Sequence, residues 1–204
     1  MSSLISLTPS ALASQKNLKI VNIDLNKAMT RHADTGKGFI AMGTFRINKN
    51  AFKLVLKGEL TTNGVAVNEF NKTPNYSLGI QFDEEKDLEA FEKLNDLLAQ
   101  FLDSFLPDTE EWDLNRVVKE DRIYLKLKTD AKKNFQFTSN VKLTPKNLSD
   151  SGLFRGQKVE VTAEIAPYFN FADKKAGLSI SPRSIKFDVD EESEEPIPKK
   201  SRNN

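Results

Sequence analysis

Residues 122–128 read RIYLKLK, with apolar and polar side chains in strict alternation. Successive side chains of a β-strand point to opposite faces. One face of this predicted strand is therefore apolar, and the other carries Arg122, Tyr124, Lys126 and Lys128. Cationic side chains bind phosphate groups, and an aromatic ring among them stacks on a base. The solvated side of any half-buried strand alternates in the same way, so the interpretation depends on whether other strands repeat the pattern.

The composition suits one domain with tails, or two very small domains, and excludes several kinds of site. The chain has 204 residues, of which 38% are hydrophobic and 29% are charged. It has no cysteine, which excludes disulfides, thiolate nucleophiles and zinc–thiolate sites. His32 is the one histidine, which excludes a two-histidine metal site. No apolar run approaches the length of a membrane span, and we expect no membrane partner, metal or cofactor.

Charge is strongly segregated along the chain, although the net charge is only +1. Residues 1–82 carry a net charge of +6, residues 83–113 carry −10, residues 114–188 carry +7 and residues 189–204 carry −2. The segments predicted as strands are cationic, whereas the segment predicted as a long helix is acidic. Local charge, more than net charge, attracts a polyanion.

Alternation and turn residues predict a mainly β, α+β fold. The predicted strands are Leu18–Ile23, Phe39–Asn48, Phe52–Leu60, Tyr76–Phe82, Arg122–Thr129, Asn134–Thr138, Gln157–Phe171 and Ala176–Asp188. A break in the alternation at Pro182 predicts a β-bulge. Three strands, a helix and two more strands match an OB-fold-like antiparallel barrel, to which the last two strands would add an extra C-terminal β-hairpin.

One long amphipathic helix interrupts the strands. From Leu88 to Phe105, leucine and phenylalanine recur at three- and four-residue steps. Asp83 is a plausible N-cap, and Pro107 ends the predicted helix. We expect its apolar face to pack on the barrel, and its acidic outer face argues against a helix that reads nucleic acid.

The remaining segments predict the domain boundaries. Residues 1–17 are interpreted as a flexible N-terminal arm, residues 18–188 as an OB-fold-like nucleic-acid-binding domain, and residues 189–204 as a disordered acidic and basic tail. The basic stretch Pro198–Arg202 resembles a short nuclear-import signal.

Cationic faces recur on several predicted strands. A generic strand mixes acidic and hydroxyl side chains with its lysines, as the Gln157–Ile165 segment does, so this recurrence indicates one basic side of the fold. Tyr124 and Tyr168 lie near that charge and are the better stacking candidates, whereas Phe135 and Phe137 are expected to face the core. The predicted nucleic-acid-binding residues are Arg46, Lys53, Lys57, Arg122, Tyr124, Lys126, Lys128, Tyr168, Lys174 and Lys175.

Motifs for catalysis are weak. Residues 35–38, TGKG, lack the glycine spacing of a phosphate-binding loop. No Gly-x-Ser-x-Gly motif is present, and the abundant acidic residues single out no catalytic pair. We therefore expect a protein that is not an enzyme.

Four segments carry a resemblance to a known family: residues 156–161 (GQKVEV), 168–171 (YFNF), 175–179 (KAGLS) and the acidic stretch 188–195. Together they resemble the single-stranded DNA-binding proteins of phages and large DNA viruses, over roughly residues 39–195. The resemblance implies an OB fold that coats displaced strands during replication, with DNA contacts around residues 122–128. It also implies an acidic tail that competes for that face or recruits replication proteins. Here the acidic stretch is followed by basic residues, which departs from the family pattern.

These observations predict sequence-independent binding of single-stranded DNA during replication, recombination or repair. The same residues would serve an RNA-binding protein, because contact with a 2′-hydroxyl leaves no trace in the sequence. A structural or protein-interaction module, such as a virion component that uses the acidic helix, is the alternative from another class. The residues leave open whether the chain forms a homo-oligomer, and they are compatible with an intracellular site such as the nucleus or a viral replication site.

Overall fold

The alternating segments form the strands of one large, mixed β-sheet, on which three helices pack in the parts of the chain that the structure describes. The structure is a computed structural model that describes residues 4–35, 39–70, 73–82, 86–105, 111–119, 121–148 and 151–188. The fold is mainly β, as predicted, and of the OB-like α+β class.

In chain order the elements are β1 (Leu4–Leu7), α1 (Pro9–Ala13), β2 (Leu18–Val21), α2 (Leu25–Thr35), β3 (Ile40–Met42), β4 (Thr44–Ile47), β5 (Asn50–Leu60), β6 (Ala66–Phe70), β7 (Thr73–Phe82), α3 (Lys86–Asp103), β8 (Asp113–Asn115), β9 (Val118–Lys119), β10 (Arg122–Leu127), β11 (Thr138–Ser139), β12 (Lys158–Asn170) and β13 (Lys175–Phe187).

Five strands form an incompletely closed barrel. Antiparallel pairing joins β13 to β12, β12 to β5, β5 to β7 and β7 to β10. β10 then returns to within 8 Å of β13 between Cα atoms, and no ladder joins these two described strands. The order is that of a partly open Greek-key barrel of OB type. The C-terminal hairpin, which the sequence predicted as an addition, supplies two of the barrel strands.

Helix α3 confirms the predicted amphipathic helix. Its residues Phe91, Leu94 and Leu98 are buried. The Phe91 ring lies 5.6 Å from that of Phe82 on β7, and the Phe101 ring lies 5.7 Å from that of Phe169 on β12. The helix therefore covers part of the barrel core with its apolar face. The predicted N-cap Asp83 and the predicted end at Pro107 lie outside the described residues.

The N-terminal segment differs from the predicted flexible arm. β1 pairs in parallel with β5, and Thr8 caps α1 by accepting a hydrogen bond from the backbone N–H of Ala11. Leu12 on α1 is completely buried. A segment this short has no repeated pattern, and its structure comes from contacts with β5 and α3. The tail 189–204 lies outside the described residues.

Two segments between the predicted strands contain further regular structure. α2 lies between the predicted strands Leu18–Ile23 and Phe39–Asn48. At its start Asp24 accepts a hydrogen bond at 3.0 Å from the backbone N–H of Lys27, and Leu25 and Ala28 are buried. β6 lies between the predicted strands Phe52–Leu60 and Tyr76–Phe82 and forms a hairpin with β7.

The predicted strand Asn134–Thr138 is wrong for most of its length. Only a bridge between Thr129 and Phe135 follows β10, with Gln136 donating its backbone N–H to the Lys128 carbonyl at 2.9 Å. The chain then joins β13 through the two residues of β11. By contrast, the predicted bulge is confirmed, because the register of β12 and β13 shifts between Thr162 and Ala163, opposite Pro182.

Candidate nucleic-acid interface

An open groove of about 540 Å³ lies along the seam between β10 and β13. At one end of the seam the chain crosses from β13 to β10, because β8 pairs with β13 and β9 pairs with β10. At the other end, β11 returns to β13. The groove therefore occupies the place where the barrel does not close. Its lining includes Tyr124, Lys126, Lys128, Tyr168, Ile40 and Met42.

The ring of Tyr124 lies against the backbone of the neighbouring strand, β7. It lies opposite Gly79 of β7, where a Cβ atom would stand 3.1 Å from the Tyr124 Cε1 atom. The glycine thus lets the ring approach β7 closely while 53% of the residue stays exposed. An aromatic ring held on one side and open on the other is suited to stacking on a base.

Tyr168 is positioned in the same way on the other side of the groove. It lies opposite Gly177 of β13, where a Cβ atom would stand 2.9 Å from the Tyr168 Cε1 and hydroxyl oxygen. Asn115 of β8 donates its Nδ2–H to the Tyr168 hydroxyl oxygen at 2.9 Å. Both tyrosines are therefore fixed by contacts that involve a glycine on an adjacent strand.

The two lysines of the groove are exposed and have no carboxylate partner among the described residues. Lys126 lies opposite Ser77 of β7, so the neighbouring strand offers no compensating charge there. The hydrophilic side of β12 and β13 is different, because Glu160 lies 3.5 Å from both Lys57 and Lys186. The positive charge of Lys126 and Lys128 is thus available in the groove.

The structure brings four of the ten predicted site residues into this groove: Tyr124, Lys126, Lys128 and Tyr168. Arg122 lies at the start of β10, with its Nε 3.5 Å from the Asp121 carboxylate. Lys174 and Lys175 lie in and next to the turn between β12 and β13, where Lys174 adopts a positive φ of 48°.

The remaining three predicted residues, like Arg122, Lys174 and Lys175, lie outside the lining of the groove. Arg46 of β4 donates a hydrogen bond to the Lys49 carbonyl at 3.4 Å. Lys53 lies opposite Ser6 of β1, and Lys57 is engaged by Glu160. Register with β12 determines the surroundings of Lys57, and a single strand sequence does not reveal that register.

The sequence analysis missed two apolar residues in the groove. Ile40 and Met42 of β3 are 56% and 47% exposed, respectively. They flank the buried Ala41, and Met42 lies opposite Tyr168. The sequence analysis included both residues in the predicted strand Phe39–Asn48 and assigned neither of them a role in binding. Exposed large apolar residues gathered in one groove indicate a binding surface.

Other kinds of site find less support in the described parts of the chain. They contain no group of three acidic or histidine side chains placed to hold a metal ion. None of the described helices is long and apolar enough to cross a membrane.

The barrel and its groove define an OB-like domain with a cationic and aromatic groove. No protein-family model matches the chain, and no curated protein matches it. Its fold is similar to a solved structure titled "Crystal Structure of gp2.5, a Single-Stranded DNA Binding Protein Encoded by Bacteriophage T7". The match has 10% sequence identity and a TM-score of 0.35 and covers 74% of this chain and 86% of that chain. Because the identity and the TM-score are this low, the match gives no information about the function of this chain.

Proposed function

We propose that this protein is a non-catalytic single-stranded DNA-binding protein whose binding site is the groove between β10 and β13. It coats and protects single strands during replication, recombination or repair. The observation that carries the proposal is the arrangement of Tyr124 and Tyr168, each held at a glycine, around two lysines that have no carboxylate partner in the described structure.

The groove supplies the two interactions that binding of a single strand needs. Lys126 and Lys128 attract the phosphate backbone, and binding releases the counterions that surround it. Tyr124 and Tyr168 offer ring faces on which bases can stack. Ile40 and Met42 are exposed in the same groove and add apolar surface to it. Stacking contributes about 1–3 kcal/mol per base and tolerates every base, which favours sequence-independent binding.

The same arrangement favours single strands over duplexes. Bases in a duplex are stacked on one another, so their faces are not available to the tyrosines. Duplex readers commonly insert a helix into the major groove, but the exposed residues Glu89, Glu92 and Asp96 make the outer side of α3 acidic. That side would be repelled by phosphate groups.

The proposal is tested by fluorescence anisotropy of a labelled oligo-dT titrated with the purified protein over a series of salt concentrations. We expect binding that weakens with salt, with a log–log slope of about −0.7 for each phosphate contact. Competition with unlabelled duplex and RNA of equal length measures the preference, and duplex should compete poorly. No detectable affinity for oligo-dT at low salt would sink the proposal.

RNA binding is the alternative that the same groove allows, and stronger competition by RNA than by DNA would select it. A stable protein complex through α3 without any nucleic-acid affinity would instead select the interaction module. Recruitment of replication proteins by the tail and nuclear import through Pro198–Arg202 stay predictions, because both segments lie outside the described residues. Self-association also stays a prediction.

A further inference from the structure

A second, smaller cleft continues the groove beyond Lys128. It has a volume of about 110 Å³, and its lining includes Lys126, Lys128, Phe137, Pro182 and Arg183. Both lysines also line the main groove. The two openings are therefore neighbours that share their cationic residues, and an extended chain that lies along the lysines reaches both.

Phe137 presents a supported aromatic ring in this cleft. Its ring stacks on that of Phe135, with centroids 5.2 Å apart and planes inclined by 22°. Phe135 in turn meets the Tyr76 ring edge-on at 5.2 Å. Phe137 is only half-buried, although the sequence predicted a core residue. It therefore combines a fixed position with an accessible surface.

Arg183 reaches the cleft because of the β-bulge. The residues flanking Arg183, Pro182 and Ser184, pair with Ala163 and Thr162, which leaves Arg183 as the additional residue of β13. Bulges often redirect a side chain in this way. Its Nη2 donates a hydrogen bond to the Glu164 carboxylate at 2.5 Å, and the arginine side chain remains 49% exposed. The guanidinium is thus oriented and still open to a further anion.

We infer that the bound single strand continues from the main groove into this cleft, where Phe137 stacks on a base and Arg183 binds a phosphate. This inference rests on the proposed function and extends it, because it assigns a second nucleotide subsite. The chemistry required is that of a nucleotide, since one side chain offers an aromatic face and the other a bidentate donor for phosphate oxygens. OB folds bind about 4–16 nucleotides, and two connected subsites require a longer strand than one.

The test is the dependence of affinity on oligonucleotide length, measured with labelled dT4 to dT16. We expect Phe137→Leu combined with Arg183→Ala to match the wild type on the shortest strands that bind. On the longer strands this variant should bind about tenfold more weakly. Phe137→Leu keeps an apolar side chain, and Arg183→Ala alone provides a variant that leaves the aromatic stack intact.

Lys186→Ala is the matched control, because Lys186 also lies on β13 and faces a glutamate but does not line the cleft. It should keep the wild-type length dependence. If the Phe137 and Arg183 variants remain folded and also keep the wild-type length dependence, the second subsite is wrong, while the proposed binding in the main groove is unaffected. If the wild type binds no oligonucleotide of any length, both proposals fail.

Discussion

Single residues determine the geometry of the groove between β10 and β13. Gly79 and Gly177 give the two tyrosine rings room to lie close to adjacent strands, and Asn115 orients the Tyr168 hydroxyl. The sequence identified both tyrosines because each lies among basic residues. It could not show their relation to the glycines, since the pairs lie on different strands and depend on the register of the sheet.

Arg183 provides a test at the residue scale, because the negative charge of Glu164 beside its guanidinium repels a phosphate that binds there. We expect Glu164→Gln to strengthen binding of long oligonucleotides by about 1.4- to 5-fold, the equivalent of roughly 0.2–1 kcal/mol for an exposed ion pair. Anisotropy with dT16 measures the effect. Glu160→Gln removes a carboxylate that lies next to Lys57 and Lys186 and should have no such effect. Equal gains in both variants would indicate a general charge effect.

The lowered pKa of Asp130 predicts that the stability of the turn after β10 depends on pH. Its carboxylate accepts hydrogen bonds from the backbone N–H groups of Asn134 and Lys132, and chiefly the first of these lowers the pKa below its ordinary value of 3.8. The folded-state pKa is depressed, so the stabilisation is present above 3.8 and is lost as the pH falls through the folded-state pKa. An NMR titration should find a midpoint below 3.8, and a midpoint at or above it would contradict this role.

At the scale of elements, regular alternation was the reliable signal. β10, β12 and β13 were predicted almost to their ends because a buried face imposes a period of two over several residues. The short elements β1, α1 and α2 were missed, because tertiary contacts rather than a repeated local pattern stabilise them. The groove could not be predicted from the sequence either, since it forms where two strands that are distant in the chain approach without pairing.

The N-terminal elements give a test of stability. We expect Leu12→Ala to lower the free energy of unfolding by about 2–5 kcal/mol, because Leu12 is completely buried and its removal leaves a cavity. Leu4→Ala is the control, since Leu4 is 53% exposed and a surface change of this kind costs within about 0.5 kcal/mol. Urea denaturation measures both. A negligible loss of unfolding free energy for Leu12→Ala would instead support the flexible arm predicted from the sequence.

The whole molecule separates its charges into different environments. The exposed side of α3 is acidic, Glu160 forms ion pairs with Lys57 and Lys186 on the outer face of the sheet, and the groove retains lysines without carboxylate partners in the described structure. The sequence predicted the segregation between helix and strands, but it treated the cationic strands alike. Pairing of β5 with β12 distinguishes Lys57 from Lys126.

This distinction predicts unequal effects of removing single charges. Lys126→Ala should weaken oligo-dT binding and reduce the magnitude of the salt slope by about 0.7, the value for one phosphate contact. Lys57→Ala should change both quantities little, because Glu160 already lies beside that lysine. Equal losses from the two variants would mean that the strand traverses the outer face of β5 and is not confined to the groove.

The most direct measurement of the central claim is the affinity for oligo-dT of a variant with both Tyr124→Ala and Tyr168→Ala. Each tyrosine should contribute about 1–3 kcal/mol, so we expect a combined loss of roughly 2–6 kcal/mol in a variant that remains folded. A variant with both tyrosines changed to phenylalanine keeps the rings and should retain most of the affinity. Wild-type affinity in the double alanine variant would contradict the groove as the binding site.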